Sequence, residues 1–551
     1  MQIPSNPIDR EQLYAELVFK CGATRADRIA TYLSMRAYYL FGNAPDREAA
    51  QYNKINSHID LLSSFLYASE TTRFAIQFDS EVLESEYVKA PAMSEAILRE
   101  WHASNMDLIY GMGLNWALTY NSMFVKLIWN HGIRPYLVEP HNVGVLREDL
   151  PFLDHQEAIT HTYSMTRSEL EYRLRDHPNR TSIMERLTAG HQSNEDVPKA
   201  ISKLIDLSQS SPNLVGNVDL QLGMQMRYVP NVAEELIEMT ELWVYNDEIE
   251  DYQVVTMANP DVVIYDREGS SIFLPGEQPL IQICPNPLYD YFWGESEVAK
   301  MTQLQDMRNL RIAQIQELLD KQVRPPTAMS GFMGLYDEKN FALNRAGGLI
   351  NSDMPGATAK QYAPELPPDL YKEIAEIDMM FDEVTGLSAV MKGKGETGVR
   401  SRGHATELAR LGSSRAKKRA LVVEDSLEKV ATLYLKLMRH YDPRKLVDAK
   451  GHKFIAEQFP DAAVVKMDAH SNSPIFSEDY RSMAEILFKA HAIDRESLID
   501  MLQPPMAKVL KERLRTKIIP GEQQAQQQRA QMEAAKAQKT PGPTPTPKPA
   551  S

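Results

Sequence analysis

Between Ser296 and Val323 the chain runs 28 residues, SEVAKMTQLQDMRNLRIAQIQELLDKQV, with neither glycine nor proline. Most of these residue types lose little rotamer freedom in a helix, and Ser296 stands where an N-cap hydroxyl would accept from the first turn. Val298, Met301, Leu304, Met307, Ile315 and Leu318 fall close to one stripe of helical period. At about 1.5 Å per residue this helix is a rod of roughly 42 Å, and any fold for the chain has to accommodate it.

Two further long elements follow. After a Pro/Gly-rich span (324–367), residues 368–388 return to helical spacing, with Ile374, Ile377 and Phe381 three to four residues apart. Then comes MKGKGETGVRSRGHATELARLGSSRAKKRA (391–420), which holds nine Lys or Arg against two acids. After Gly403 a third helix can run to Tyr441, where Asp442-Pro443 stops it; by the same rise it spans about 57 Å.

The N-terminal half is of mixed type. Up to about residue 120 it reads as helices, with Ile55, Ile59, Leu62 and Leu66 at helical spacing. MFVKLIWNHGIRPYLVEPHNVGVL, from Met123, reads as a hairpin turning at Asn130-His131-Gly132, followed by a further strand. Short helices are expected over 165–210, and a second β block of four or five strands from Glu241. Residues 474–518 suggest short helices. From Gly521 a Gln/Ala and then Pro-rich tail has too few large apolar residues to build a core and reads as disordered.

Charge and motif searches narrow the function. A formal charge of −15 argues against coating nucleic acid over a broad surface, so any such contact is local to the basic segment. Cys21 and Cys284 stand alone, outside any disulfide framework or zinc spacing. No apolar run is long enough to cross a membrane, and MQIPSNPIDREQ lacks the pattern of a secretory signal. Gly393-Lys394-Gly395-Glu396-Thr397-Gly398 fits G-x-G-x-x-G, but a helix precedes it and Lys417-Lys418-Arg419 stands where a ribose-binding acid is needed. His155 and His161 are close enough in sequence to conceive a metal pair, without a third ligand. No residues support an enzyme, a cofactor or a bound metal.

The order of parts resembles the portal protein of tailed bacteriophages, the head-to-tail connector. The resemblance is carried by PNPLYDYFWGESEVAKMTQLQDMRNLRIAQIQELLDKQVRPP (285–326) and TGVRSRGHATELARL (397–411), and more weakly by YNKINSHIDLLSSFLY and VEPHNVGVLRED. It implies a mainly helical α+β protomer with wing, stem, clip and crown regions. Residues 1–290 correspond to the helical and β wing, 291–323 and 368–388 to the paired stem helices, and 324–367 to the clip. Residues 389–403 correspond to the tunnel loop, 404–441 to the long wing helix, 442–520 to a helical crown, and 521–551 to the disordered tail. The family further implies a ring, usually a homododecamer, at one capsid vertex of the virion, assembled in the host cytoplasm. Implied partners are double-stranded DNA, the large terminase subunit, a head-completion or tail adaptor, and the major capsid and scaffolding proteins; no membrane is involved.

On that resemblance Lys392, Lys394, Arg400, Arg402 and Arg410 meet DNA phosphates, which carry no sequence information. Gly393, Gly395, Gly398 and Gly403 hinge the loop. Asp369, Glu373, Glu376, Asp378, Asp382 and Glu383 supply an acidic channel wall that repels the duplex. Met301, Leu304 and Met307 pack on Ile374, Ile377 and Phe381, while part of 415–419 pairs with acids of a neighbouring subunit. The alternatives are a DNA-binding scaffold without a channel, another head structural protein, and an enzyme holding a phosphate ligand in the GKGETG loop.

Overall fold

The computed structural model describes residues 3–42, 53–68, 72–78, 89–190, 236–259, 262–330, 349–352, 358–361, 369–386, 414–447, 453–460, 463–467 and 483–502, with a few isolated positions besides. Two compact units divide the chain, Met1–Ile475 and Phe476–Ser551. In the second, residues 483–489 and Arg495–Leu502 are helical.

The first unit opens with α1 (Pro7–Cys21), capped by the Asn6 side chain and started by Pro7, whose missing N–H would have had no helical partner. Next come α2 (Arg25–Phe41), α3 (Lys54–Leu66), β1 (Phe74–Phe78), α4 (Ala90–Ala103) and α5 (Met106–Tyr120). Ile55, Ile59, Leu62 and Leu66, expected on one face of α3, are all buried. β2 (Met123–Trp129) and β3 (Ile133–Val138) form the expected hairpin, its turn made by His131 and Gly132 at φ of +54° and +148°.

Then follow β4 (Val143–Val145), β5 (Ala158–Thr166), α6 (Arg167–Arg173), α7 (Arg180–Gly190), β6 (Leu236–Asn246), β7 (Asp251–Ala258), β8 (Val262–Glu268) and β9 (Leu280–Ile283). The two β blocks expected as separate are joined: β4 to β8 make one antiparallel five-stranded sheet in chain order, while β9 leaves to pair with β2. Strand alternation gives that sheet two apolar faces. Tyr14, Leu17 and Cys21 of α1 pack on Leu242, Val244, Val255 and Met257. The residues of opposite parity, Ile237, Met239, Val262 and Ile264, meet Leu170, Ile183 and Leu187 of α6 and α7.

A buried ion pair ties the two sheets, Lys126 Nζ of β2 lying 2.5 Å from Glu241 Oε2 of β6, with Trp243 Nε1 donating to the other oxygen at 2.9 Å. Burial alone would raise the Glu241 pKa, but the Lys126 charge and the His161 hydrogen bond outweigh it and hold the group at about 2. His161 is pushed below its ordinary value by burial and by Lys126. The conceived His155–His161 metal pair does not form: His161 belongs to this cluster, and the His155 ring meets Phe152 instead.

The remainder holds α8 (Glu297–Val323), β10 (Thr327–Ser330), β11 (Leu349–Ser352), β12 (Thr358–Gln361), α9 (Asp369–Thr385) and α10 (Ser414–Tyr441). β10 is the middle of a small three-stranded sheet between α8 and α9 in sequence, parallel to β11 and antiparallel to β12. Along α10, Val423, Leu427, Val430, Ala431, Tyr434, Leu437 and Met438 are all buried. Tyr110 of α5 donates to the Val423 carbonyl at 3.0 Å, and the rings of Trp101 and Tyr434 lie 5.4 Å apart.

Beyond α10 the structure differs from the helical expectation for 442–520. β13 (Lys445–Val447), β14 (Lys453–Ile455) and β15 (Ala463–Met467) are strands, and β15 pairs antiparallel with β1. The reason is local: in AVVKM alternate residues are buried, and α10 side chains accept from the strand's outer amides, Thr432 from Val465 N at 3.3 Å and Glu428 from Met467 N at 2.9 Å. The whole is a mainly helical α+β fold with small sheets.

Candidate functional site

Three helices converge where α8 begins. Ser296 caps α8 as its sequence position suggests, accepting from Ala299 N at 3.3 Å while donating to the Thr119 carbonyl at 2.5 Å. Glu297 follows, fully buried in the first turn, where the helix dipole favours a carboxylate. It receives Arg419 Nη2 of α10 at 2.6 Å and Lys300 Nζ at 3.2 Å. The same guanidinium donates through Nε to Asn286 Oδ1 and through Nη1 to the Thr385 carbonyl, both at 3.0 Å. One turn earlier, Arg415 Nη1 donates to the Glu383 carbonyl at 2.9 Å. Both carbonyls belong to the last turn of α9 and have no intrahelical donor. Arg415 and Arg419, expected to pair with a neighbouring subunit, thus bond within their own chain.

Gly386 closes α9 at φ +72°, its N–H bonded to the Asp382 carbonyl at 3.0 Å. The Arg415 side chain lies against it; a Cβ on Gly386 would stand 3.0 Å from Arg415 Cδ. Gly386 and Arg415, on either side of residues 387–413 in sequence, therefore lie side by side. Lys392, Lys394, Arg400, Arg402, Arg410 and the hinge glycines Gly393, Gly395, Gly398 and Gly403 lie outside the described residues.

α8 and α9 pack antiparallel, since Arg308 Nε donates to Asp378 Oδ1 at 2.9 Å while Arg311 Nε donates to Glu373 Oε1 at 2.8 Å, rising in one helix as they fall in the other. α3 joins them: Lys54 Nζ lies 3.2 Å from Asp378 Oδ2, and His58 Nε2 3.0 Å from Asp382 Oδ1. Of the expected apolar contact, Met301, Ile377 and Phe381 are buried, Leu304 and Ile374 are half-buried, and Met307 is 46% exposed. The difference is geometric: Arg308, Arg311 and Ile315 take the face toward α9, and Met307 sits about a quarter turn away.

The six acids of α9 are divided. Glu373, Asp378 and Asp382 turn inward to the cations just named, whereas Asp369, Glu376 and Glu383 are exposed, Asp369 pairing with Lys372 at 3.0 Å. Sequence reading missed Lys54, His58, Arg308, Arg311 and Glu297. The signal for one set was present: acids at 373 and 378 face arginines at 311 and 308 only if the two helices run antiparallel. The PNPLYDYFWGE run also gains a reason, since Phe292 and Trp293 are buried beside Phe124, while Tyr289 stays exposed.

Among the described residues no His, Cys, Asp or Glu cluster could hold a metal, and no helix is long and apolar enough to cross a membrane. The sequence matches the family described as "Phage SU10 portal protein" over residues 81–455, more than half of the chain. Among solved structures it is similar to a chain of "Virion of native gene transfer agent (GTA) particle", at 9% identity and a TM-score of 0.39, over 86% of this chain and 93% of that one. No curated protein matches it.

Proposed function

The chain belongs to the phage SU10 portal protein family, and from that premise we propose that its copies close into a ring, of twelve protomers, at one capsid vertex, through which double-stranded DNA is packaged and ejected. The family match is the observation that carries this reading. The antiparallel α8–α9 pair takes the part of the stem, the sheet of β10 to β12 the clip on which the large terminase subunit and then the tail adaptor dock, and residues 389–403 the tunnel loop. α10 is the long wing helix behind that loop, residues 442–520 are the crown, and capsid and scaffolding proteins surround the wing.

The charge distribution supports a conduit. Arg415 and Arg419 are engaged within the chain, and the cations assigned to DNA are Lys392, Lys394, Arg400, Arg402 and Arg410. Phosphate contacts suit a channel that has to pass every sequence equally. For the acidic wall only Asp369, Glu376 and Glu383 are turned outward on α9, and the proposal is confined to these three. The structural role leaves no chemistry to assign.

Native mass spectrometry of the purified protein tests the assembly. A closed species near twelve times the 62.5 kDa protomer is expected. A monomer or dimer at high concentration, with added scaffolding and capsid proteins still giving no ring, would refute it and favour the DNA-binding scaffold.

A further inference from the structure

A cleft of about 440 Å³ is lined by α10 and by two strands that end their sheets, β9 and β15. We propose that it is a docking groove for an extended, basic segment of a partner protein, which adds as a strand to the free edge of β9. The groove shares no lining residue with α8 or α9, and the inference does not depend on ring closure.

β9 is the last strand of the sheet β3-β2-β9. Leu127 N donates to the Pro279 carbonyl at 2.9 Å, and in an antiparallel ladder the bonded pairs recur every second residue, so Ile281 and Ile283 turn their amides to β2. Leu280 and Gln282 therefore turn their N–H and C=O groups the other way, to an edge with which no described strand pairs, and both residues line the cleft. β15 lines it too, but its outer amides are taken, since Val465 N and Met467 N donate to Thr432 and Glu428 of α10. An entering strand thus finds its backbone partners on β9, where about four residues at roughly 3.4 Å each cover Leu280–Ile283. Close by in sequence, Gln278 also lines the cleft; it is 9% exposed, and its Oε1 is buried with no hydrogen-bond donor among the described residues. An N–H of the occupant would satisfy it.

The walls set the chemistry of the occupant. Phe152 and Val464 line the cleft while 52% and 45% exposed, which favours apolar side chains on the added strand. The charges are uneven. Glu277 has Lys436, and Glu428 has Lys466 at 2.6 Å, whereas Asp154 and Asp425 share Lys429 at 3.7 and 3.4 Å. One negative charge is left over where Asp154 and Asp425 meet, so a lysine or arginine of the occupant fits there and a carboxylate is repelled. These pairs are partly exposed and weak enough to rearrange around an entering chain. A second copy of this chain, at a formal charge of −15, is a poorer source of a basic strand than another protein.

The experiment uses the full-length protein and a labelled synthetic peptide of alternating valine and threonine with one lysine. Two analogues carry glutamate in place of the lysine, or methyl groups on all backbone amides. Fluorescence anisotropy reads affinity, and hydrogen exchange reads protection over 280–283. Gln282→Pro removes the edge N–H and spares the β2 ladder; Gln282→Ala loses the same side-chain bond to the Phe292 carbonyl and keeps that N–H. The lysine peptide is expected to bind and to slow exchange at 280–283. Gln282→Pro should bind it about fivefold more weakly than Gln282→Ala, as loss of one ordinary hydrogen bond would, and Asp154/Asp425→Asn should abolish the preference for lysine over glutamate. No binding of the lysine peptide at millimolar concentration, equal binding of either analogue, or equal affinity of the two Gln282 variants overturns the proposal. So does protection of 280–283 that arises when the protein assembles alone, since a neighbouring copy would then fill the groove. Should Gln282→Pro fail to fold, the methylated analogue on the wild-type protein decides the role of the edge.

Discussion

Replacing Phe381 by alanine should release α9 while leaving the five-stranded sheet intact. Phe381 is fully buried, its ring 5.5 Å from that of His58. Truncating a buried phenylalanine costs about 3–5 kcal/mol through lost transfer energy and the cavity left behind. The ion pairs along the same helix are partly exposed, and each adds at most about 1 kcal/mol. α9 is thus held mainly by Ile377 and Phe381, and the variant should populate an α9-open state about 10² to 4 × 10³ times more often, at tenfold per 1.4 kcal/mol. Hydrogen exchange with peptide-level resolution reads this directly, with β6 and β7 as the internal reference. Glu373→Gln, which breaks the Arg311 pair, serves as the comparison and should change exchange by less than about fivefold. If Glu373→Gln loosens α9 as much as Phe381→Ala, the charges and not the apolar contact hold the helix, and the reasoning is wrong.

Acid should weaken the link between the two sheets. The Glu241 pKa is depressed from 4.5 to about 2, so its stabilisation is complete above pH 4.5 and is lost as pH falls toward 2. Lys126→Met leaves that carboxylate unpaired and should cost about 3–5 kcal/mol at neutral pH; in urea titrations the gap from wild type should narrow between pH 7 and pH 3, and a constant gap would contradict the assignment. Gly386→Ala forces an L side chain to φ +72° and onto Arg415, so a loss of about 1–2 kcal/mol is expected by thermal unfolding. Lys392/Lys394/Arg400/Arg402→Ala should leave ring mass unchanged and lessen the salt dependence of DNA retention; failure to form rings would make those residues structural.

How much of this could be read beforehand depends on how local the cause is. The Ser296 cap, the end of α8 at Val323, the α3 stripe and the Asn130–Gly132 turn were all legible, because each rests on contacts within a few residues. β5 was not, since Thr160, His161 and Thr162 interrupt its apolar alternation, and the strand is fixed by pairing with β4 and β6 and by the contact of His161 with Lys126. The acids of α9 look like a solvated face in one dimension; Asp378 and Asp382 turn inward because Lys54 and His58, more than 300 positions earlier, pack beside them, and Glu373 because Arg311 of α8 does. Met307 failed for the opposite reason. A periodic stripe says which residues favour burial, not which neighbour will come to cover them, and α9 chose the arginine side.

The pairing of β1 with β15 sets the timing of the chain's own synthesis. Phe74–Phe78 emerges early, yet its partner is Ala463–Met467. At roughly 5–20 residues per second, the intervening stretch keeps β1 waiting on the order of 20–80 s with an unsatisfied edge. A ribosome that stalls between residues 441 and 463 therefore releases a product with an open strand and a long helix missing the β-strand that should lie beside it. Such a fragment is material for chaperones and proteases. The seam between the first strand and the last thus acts as a checkpoint: only a chain translated past Met467 can close it.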